Sequence, residues 1–248
     1  MADLEPATVE LELKPGAWFP MGKSGTFWQI LDIDESAQTA LVIAQEEVCQ
    51  RVYAYHGTFV HVNWKTCDLR KWLNGEYFET EFSTEEQQAV LETDVKNPNN
   101  ATKDRLFLLS LKEVQKHFKS KADRATGSWW WLRSPGYLQL RAACVYGDGS
   151  VDANGCRVDS GNGGIRPVFT IDLNSILFQS FISTDPESKI KKIRVPEVII
   201  KDGILKRVAR SVRRLEVPEG VTEISEGVFR DMPLEEISLP ASLKKIGA

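Results

Sequence analysis

Three histidines, His56, His61 and His117, and four cysteines, Cys49, Cys67, Cys144 and Cys156, hold most of the nucleophilic and metal-binding capacity of this 248-residue chain. Their spacing offers little of it. The histidines form no HExxH metal pair, and no serine sits in a Gly-x-Ser-x-Gly elbow. The cysteines show no CxxC or other metal-ligand spacing and are too sparse for a disulfide scaffold, so reduced thiols are expected. Cys67 with His61 is the nucleophile and base pair that sequence distance leaves open. Asp148, Ser150, Asp152 and Asn154 alternate ahead of Gly155 in the manner of a calcium loop, but the twelfth position counted from Ser150 is Gly161, where an EF-hand needs a bidentate Glu. Gly161-Asn162-Gly163-Gly164 has the glycine content of a phosphate cradle, yet it leads into the strand-like run Ile165 to Ile171 instead of a helix N-terminus. These features assign no catalytic residue, no metal site and no cofactor.

The elements that would position such residues read as a mixed α+β chain. Phe27 to Ile33 and Thr39 to Ala44 are apolar runs joined by Asp34-Glu35-Ser36, the pattern of a hairpin. Leu69, Trp72 and Leu73 stand at helical spacing within Thr66 to Phe78, with Thr66 or Asp68 as cap, and Ser83-Thr84-Glu85-Glu86 opens a second helix with a capping box. Leu106 to Leu109 reads as a buried strand and Ser110 to Phe118 as a third helix. In Trp129-Trp130-Trp131-Leu132, alternate side chains point to opposite faces and both faces are apolar. That fits a central strand buried on both sides, with an exposed tryptophan platform for a sugar ring as the sharper alternative. Arg133 and Arg166 flank it, placed either to clamp an anion or to tie loops together through backbone carbonyls.

Asp148-Gly149 and Asn154-Gly155 suit two-residue hairpin turns, which predicts a meander of strands 141–147, 150–153 and 156–159. In that register one face carries Ala142, Cys144, Tyr146, Val151, Ala153, Cys156 and Val158, and the other carries Arg141, Ala143, Val145, Ser150, Asp152, Arg157 and Asp159. Cys144 and Cys156 then lie on next-nearest strands with Ala153 between them, roughly 9 to 10 Å apart, as separate thiols.

An internal repeat organises the C-terminal end. Leu215-Glu216-Val217-Pro218 and Ile237-Ser238-Leu239-Pro240 stand 22 residues apart, Ile193-Arg194-Val195-Pro196 falls one period upstream, and Val221 and Ile224 match Leu243 and Ile246. Such a period predicts short stacked strands, each unit burying its face only against its neighbours. The division expected is a first domain over 1–180, a linker over 181–192 and the repeats over 193–248, which end at Ala248 like a truncated array.

The net charge of −4 is unevenly spread, with ten Lys or Arg between Lys189 and Arg214 against Glu197 and Asp202. No aromatic residue interleaves with these charges to stack on bases, so a solvated face is expected and a nucleic-acid partner is not. No uncharged apolar stretch approaches the roughly 20 residues that cross a bilayer, and membrane insertion is not expected. The acidic opening Met1-Ala2-Asp3-Leu4-Glu5-Pro6 lacks the pattern of an export signal, which favours a cytoplasmic location over a bacterial cell surface or secretion.

The wording of the repeat, Ile200-Lys201-Asp202-Gly203-Ile204-Leu205-Lys206 and then Val217-Pro218-Glu219-Gly220-Val221-Thr222-Glu223-Ile224, resembles BspA-like leucine-rich repeats of bacterial proteins. Upstream, Trp129 to Gly136, Gly147 to Val151 and Gly164 to Val168, with Trp64 to Asn74 and Phe107 to Ser110, resemble a bacterial domain family of unknown function found beside such repeats. More distantly this text is similar to C-type-lectin-like domains of the formylglycine-generating type. The resemblance implies a C-type-lectin-like domain followed by a short leucine-rich-repeat solenoid. It further implies ligand display without chemistry. On that footing Arg141, Ser150, Asp152, Arg157 and Asp159, bordered by Tyr137 and Asn162, are the candidate ligand-binding residues for a protein or glycan. The alternatives are an oxidase of the formylglycine-generating type using a cysteine pair, and an intracellular structural or regulatory protein without a small ligand.

Overall fold

The computed structural model describes residues 8–55, 62–97, 101–184, 191–209, 212–229 and 232–247, and divides the chain into two compact units. Lys14–Phe181 is one; Met1–Leu13 with Ile182–Ala248 is the other. The chain is α+β, mostly strands with short helices. Among the described residues no helix is long and apolar enough to cross a membrane.

The larger unit contains two five-stranded sheets. In the first, Trp18–Met21, Thr26–Asp34, Thr39–Ala44, Val168–Asp172 and Val90–Leu91 pair antiparallel in that spatial order. The expected hairpin is its centre, and the Asp34 carboxylate accepts the backbone N–H groups of Ser36 and Ala37 at the turn. In the second, the order is Val151–Arg157, Arg141–Val145, Trp130–Pro135, Gly164–Ile165 and Cys49–Gln50. The tryptophan strand lies at its middle, with Trp130, Trp131, Leu132 and Arg133 all buried. A tryptophan removes roughly 150–250 Å² from water, on the order of 4 kcal/mol each, so two fully buried rings on one strand make it a core element.

The helices follow local signals. Ser83 caps Thr84–Ala89 and Ser110 caps Leu111–His117, each through a complete capping box with Glu86 or Glu113. The earlier helix is capped by Cys67, whose sulfur accepts the Arg70 backbone N–H, one residue from either expected cap. It runs from Asp68 to Glu81 through a π-helical stretch at Leu73–Tyr77, with a break at Gly75. Leu106 to Leu109 is fully buried as expected but is not a strand; Phe107 alone bridges to Val168. Its neighbours' polar groups are satisfied by side chains, because Asn74 bonds to the backbone of Arg105 and Leu106.

In the smaller unit Lys191–Pro196 lies between Thr8–Glu12 and Ile182–Thr184, antiparallel to both. Ile193 and Val195 therefore face different neighbours from those the repeat predicts. Elsewhere in this unit Arg214–Glu216 pairs parallel with Glu236–Ser238, and Leu205, Ile224 and Ile246 fall in one parallel ladder. The first chain segment, counted with the first domain from sequence, belongs here because its hydrogen-bonding edge is taken by the 191–196 strand. Residues 185–190 of the expected linker lie outside the described residues.

One buried carboxylate joins the helical segment to the body of the larger unit. Asp104 accepts from Trp64 Nε1 at 2.8 Å, Thr102 Oγ1 at 2.7 Å and Arg70 Nε at 2.6 Å. Asp104→Ala leaves three inward-facing donors without an acceptor, and we expect a loss on the order of 3 kcal/mol in the free energy of urea unfolding.

Candidate functional site

The outer strands of the second sheet set the candidate residues, and their register differs from the expected meander. The loop after Val145 is longer than two residues: Val145 pairs with Val151, and Tyr146 N–H donates to Ser150 O at 2.8 Å. A two-residue type I′ turn needs positive φ at both central residues. Gly149 has φ +81°, but Asp148 keeps an ordinary φ while its carboxylate accepts the Ser150 N–H. The one-residue change moves Asp152 opposite Cys144 instead of Val145.

The second expected turn is not a hairpin. Val151–Arg157 is one continuous strand beside Arg141–Val145, with Ala142 opposite Cys156 and Arg141 opposite Arg157. Three residues, Ala153 to Gly155, stand against the single Ala143, so the surplus forms a bulge. Gly155 supplies the bulge with φ +80°, and a Cβ there would lie 2.2 Å from the Ala142 carbonyl oxygen. Asn154 has no positive φ, and its N–H bonds to the Asp152 carboxylate. Cys144 and Cys156 are consequently on adjacent strands, with sulfurs 2.9 Å apart and no disulfide. Their expected separation by an intervening strand is corrected.

The seven candidates do not share one face. Tyr137, Arg141 and Arg157 line an open cleft of about 580 Å³ together with Leu138, Gln139 and Leu140. Tyr137 is 83% exposed and Leu138 57%. Arg141 is steadied by its bond to Gly155 O at 2.6 Å, and Arg157 forms a 3.1 Å ion pair with Asp159. Asp152 does not line the cleft: its pairing opposite Cys144 puts it beside Tyr146, whose hydroxyl donates to it at 2.8 Å, although the Arg141 charge still acts on it. That bond holds the Asp152 carboxyl below its ordinary value and pushes the Tyr146 hydroxyl up to about 12. Ser150 is engaged with Asp148 in the hairpin loop, and Asn162 is exposed in the glycine loop. Sequence reasoning missed Leu138 and Gln139, for which exposure on a loop was the only available signal.

The other tempting residues have structural partners. At Gly163 a Cβ would lie 2.1 Å from Trp131 Nε1, so the glycine lets the backbone pass close to the indole. Trp129 is half-buried and packs edge-on against Trp131 at 4.6 Å, and Trp131 Nε1 donates to Arg51 O. Cys67 is buried, donates to Trp64 O, and is pushed up to about 12 chiefly by burial. His56 and His61 lie outside the described residues. Arg166 donates to Ala44 O and stacks 4.8 Å from the Trp130 ring centre.

Arg133 is the tightest of these. Its guanidinium bonds to Asn97 Oδ1, Leu108 O and Lys96 O and forms a two-pronged pair with Glu113. Burial raises the Glu113 carboxyl, but the bonds and charge of Arg133, with the Ser110 N–H, outweigh it and hold the group below its ordinary value. A carboxyl depressed in the folded state adds stability above its unfolded value, about 4.3, and loses it as pH falls through the folded value. Wild-type unfolding free energy should therefore fall on acidification below about pH 5, and Glu113→Gln should flatten that part of the profile while lowering stability at neutral pH.

Residues 38–173, more than half of the chain, match the family described as Domain of unknown function (DUF6273). No curated protein and no solved structure matches the chain.

Proposed function

The chain thus belongs to the DUF6273 family, and from that premise we propose that it is a non-catalytic binding protein that recognises a protein or glycan through the cleft on its second sheet. The observation that carries this reading is the convergence of Tyr137, Arg141 and Arg157 on one open cleft beside the exposed Leu138. An exposed ring and an aliphatic side chain offer a flat apolar contact, and two guanidinium groups offer donors to hydroxyl, carbonyl or carboxylate oxygens. A sugar ring or an exposed peptide segment presents both features. The finer reading of the larger unit as C-type-lectin-like rests on its sequence resemblance, with the tryptophan strand and glycine-rich loops beside the cleft as support. The reading of the smaller unit as BspA-like leucine-rich repeats is supported by the 22-residue offset of its parallel pairs, Leu215 with Ile237 and Ile224 with Ile246.

One observation favours the oxidase alternative, the contact between Cys144 and Cys156. Neither cysteine lines the cleft, however, and Cys144 is fully buried. Binding is therefore placed first.

A glycan array and a peptide array probed with the full chain test the proposal. Tyr137→Ala and Arg157→Ala should each weaken the strongest signal roughly tenfold, about 1.4 kcal/mol, with thermal unfolding unchanged because both side chains are exposed. Binding that survives both substitutions would place the ligand elsewhere.

A further inference from the structure

We propose that Cys144 and Cys156 form a reversible dithiol–disulfide site that exchanges with disulfides of external thiols. The inference does not depend on the ligand of the cleft. It stands on the geometry of two neighbouring strands: the sulfurs lie 2.9 Å apart, and a covalent S–S bond of about 2.05 Å needs only a small further approach. The bulge at Ala153 to Gly155 makes this contact. Continued without a bulge, the register of Cys144 with Asp152 would carry Cys156 opposite Leu140; the bulge instead sets it opposite Ala142, two residues from Cys144 on the neighbouring strand, beside the close Gly155–Ala142 backbone approach. Among the described residues neither Cys49 nor Cys67 contacts another cysteine, and Cys67 is committed to its helix cap.

The two thiols are unequal, which gives the exchange a direction. Cys156 is half-buried and Cys144 fully buried, so an external disulfide meets Cys156 first. The hydrogen bond from Cys144 lowers the Cys156 thiol below its ordinary value, with Arg141 helping against burial and Asp152. The same hydrogen bond, with burial, raises Cys144. Cys156 as thiolate attacks one sulfur of an external disulfide; a bond forms from Cys156 Sγ, the external S–S bond breaks, and one thiolate leaves. Cys144 then gives up its proton to solvent and attacks Cys156 Sγ, closing the protein disulfide and expelling the second external thiolate. Two protein thiols are oxidised, one external disulfide is reduced to two thiols, and the two protons released by the protein balance the two leaving thiolates.

The experiment exposes the full chain to glutathione disulfide, quenches with acid, alkylates the remaining thiols and maps the peptides by mass spectrometry. We expect two of the four thiols to disappear together, a mass lower by two hydrogens, and a Cys144–Cys156 cross-linked peptide that reduced glutathione reverses. Cys144→Ser should instead trap one glutathione on Cys156, because nothing remains to resolve the mixed disulfide, and Cys156→Ser should trap none on Cys144. The wild-type cross-link decides the question even where a variant fails to fold. Cys144 and Cys156 both remaining alkylatable after oxidation, or a bridge formed instead to Cys49 or Cys67, would overturn the proposal.

Discussion

A strand buried on both faces can carry a charged residue only where every donor of that residue is met. Arg133 is such a residue, at the end of the run Trp130-Trp131-Leu132 and 3% exposed. Its guanidinium reaches the 96–97 segment, the 106–109 segment and the first turn of the Leu111–His117 helix, so one side chain fastens three otherwise unrelated stretches to the central strand. An unpaired buried guanidinium would cost several kcal/mol. The arrangement is therefore all or nothing, and it helps the 106–109 segment lie buried where only Phe107 bridges to a strand: Leu109 accepts the Arg133 backbone N–H, Leu108 gives its carbonyl to the Arg133 side chain, and Leu106 gives its own to Asn74.

The middle of the sheet is held by indole N–H groups and carbonyls, as in Trp130 Nε1 to Arg124 O and Trp131 Nε1 to Arg51 O. At the edge, Val151–Arg157 has a neighbour on one side only, and its bulge lies opposite Ala143, where the register with the tryptophan strand also shifts. The cleft and the cysteine contact both arise at this edge. The Gly155 carbonyl steadies Arg141 in the cleft, while the next residue brings its sulfur to Cys144.

The smaller unit shows how a charged stretch is tolerated. Among the basic residues between Lys189 and Arg214, Lys192 and Arg194 pair with Glu10, Arg213 with Glu235 and Arg214 with Glu236. The last two partners stand 22 residues away, the offset of the strand repeat itself. Lys245 with Glu223, Ala241 N–H with Glu219 and Gly220 N–H with Ser242 repeat that spacing in side-chain bonds. The period is therefore written twice, in apolar ladders and in polar ones. Exposed pairs of this kind contribute little individually, and their value here lies in setting one register for parallel neighbours.

What could be read from sequence was local or periodic. The hairpin of Thr26–Asp34 with Thr39–Ala44, the capping boxes at Ser83 and Ser110, the buried tryptophan strand and the parallel pairs 22 residues apart each have their cause within a few residues or one repeat. Of the candidate site, Tyr137, Arg141 and Arg157 were legible because loops and alternation expose them. The rest was decided by contacts far apart in the chain. Asp148-Gly149 suits a two-residue turn or a longer loop equally well by composition, and the loop is anchored by Arg124, which donates to the Gly149 carbonyl from 25 residues away. Asn154-Gly155 suits a turn or a bulge, and the neighbouring strand's backbone at Ala142 selects the bulge. Because side chains alternate with a period of two, the one-residue change at the Asp148 loop moved Asp152 from opposite Val145 to opposite Cys144, and the bulge brought Cys156 to Cys144. The pairing of Thr8–Glu12 with Lys191–Pro196 is the extreme case, since partners 180 or more residues apart leave no trace in spacing and meet only when the folded chain presents one free strand edge to another.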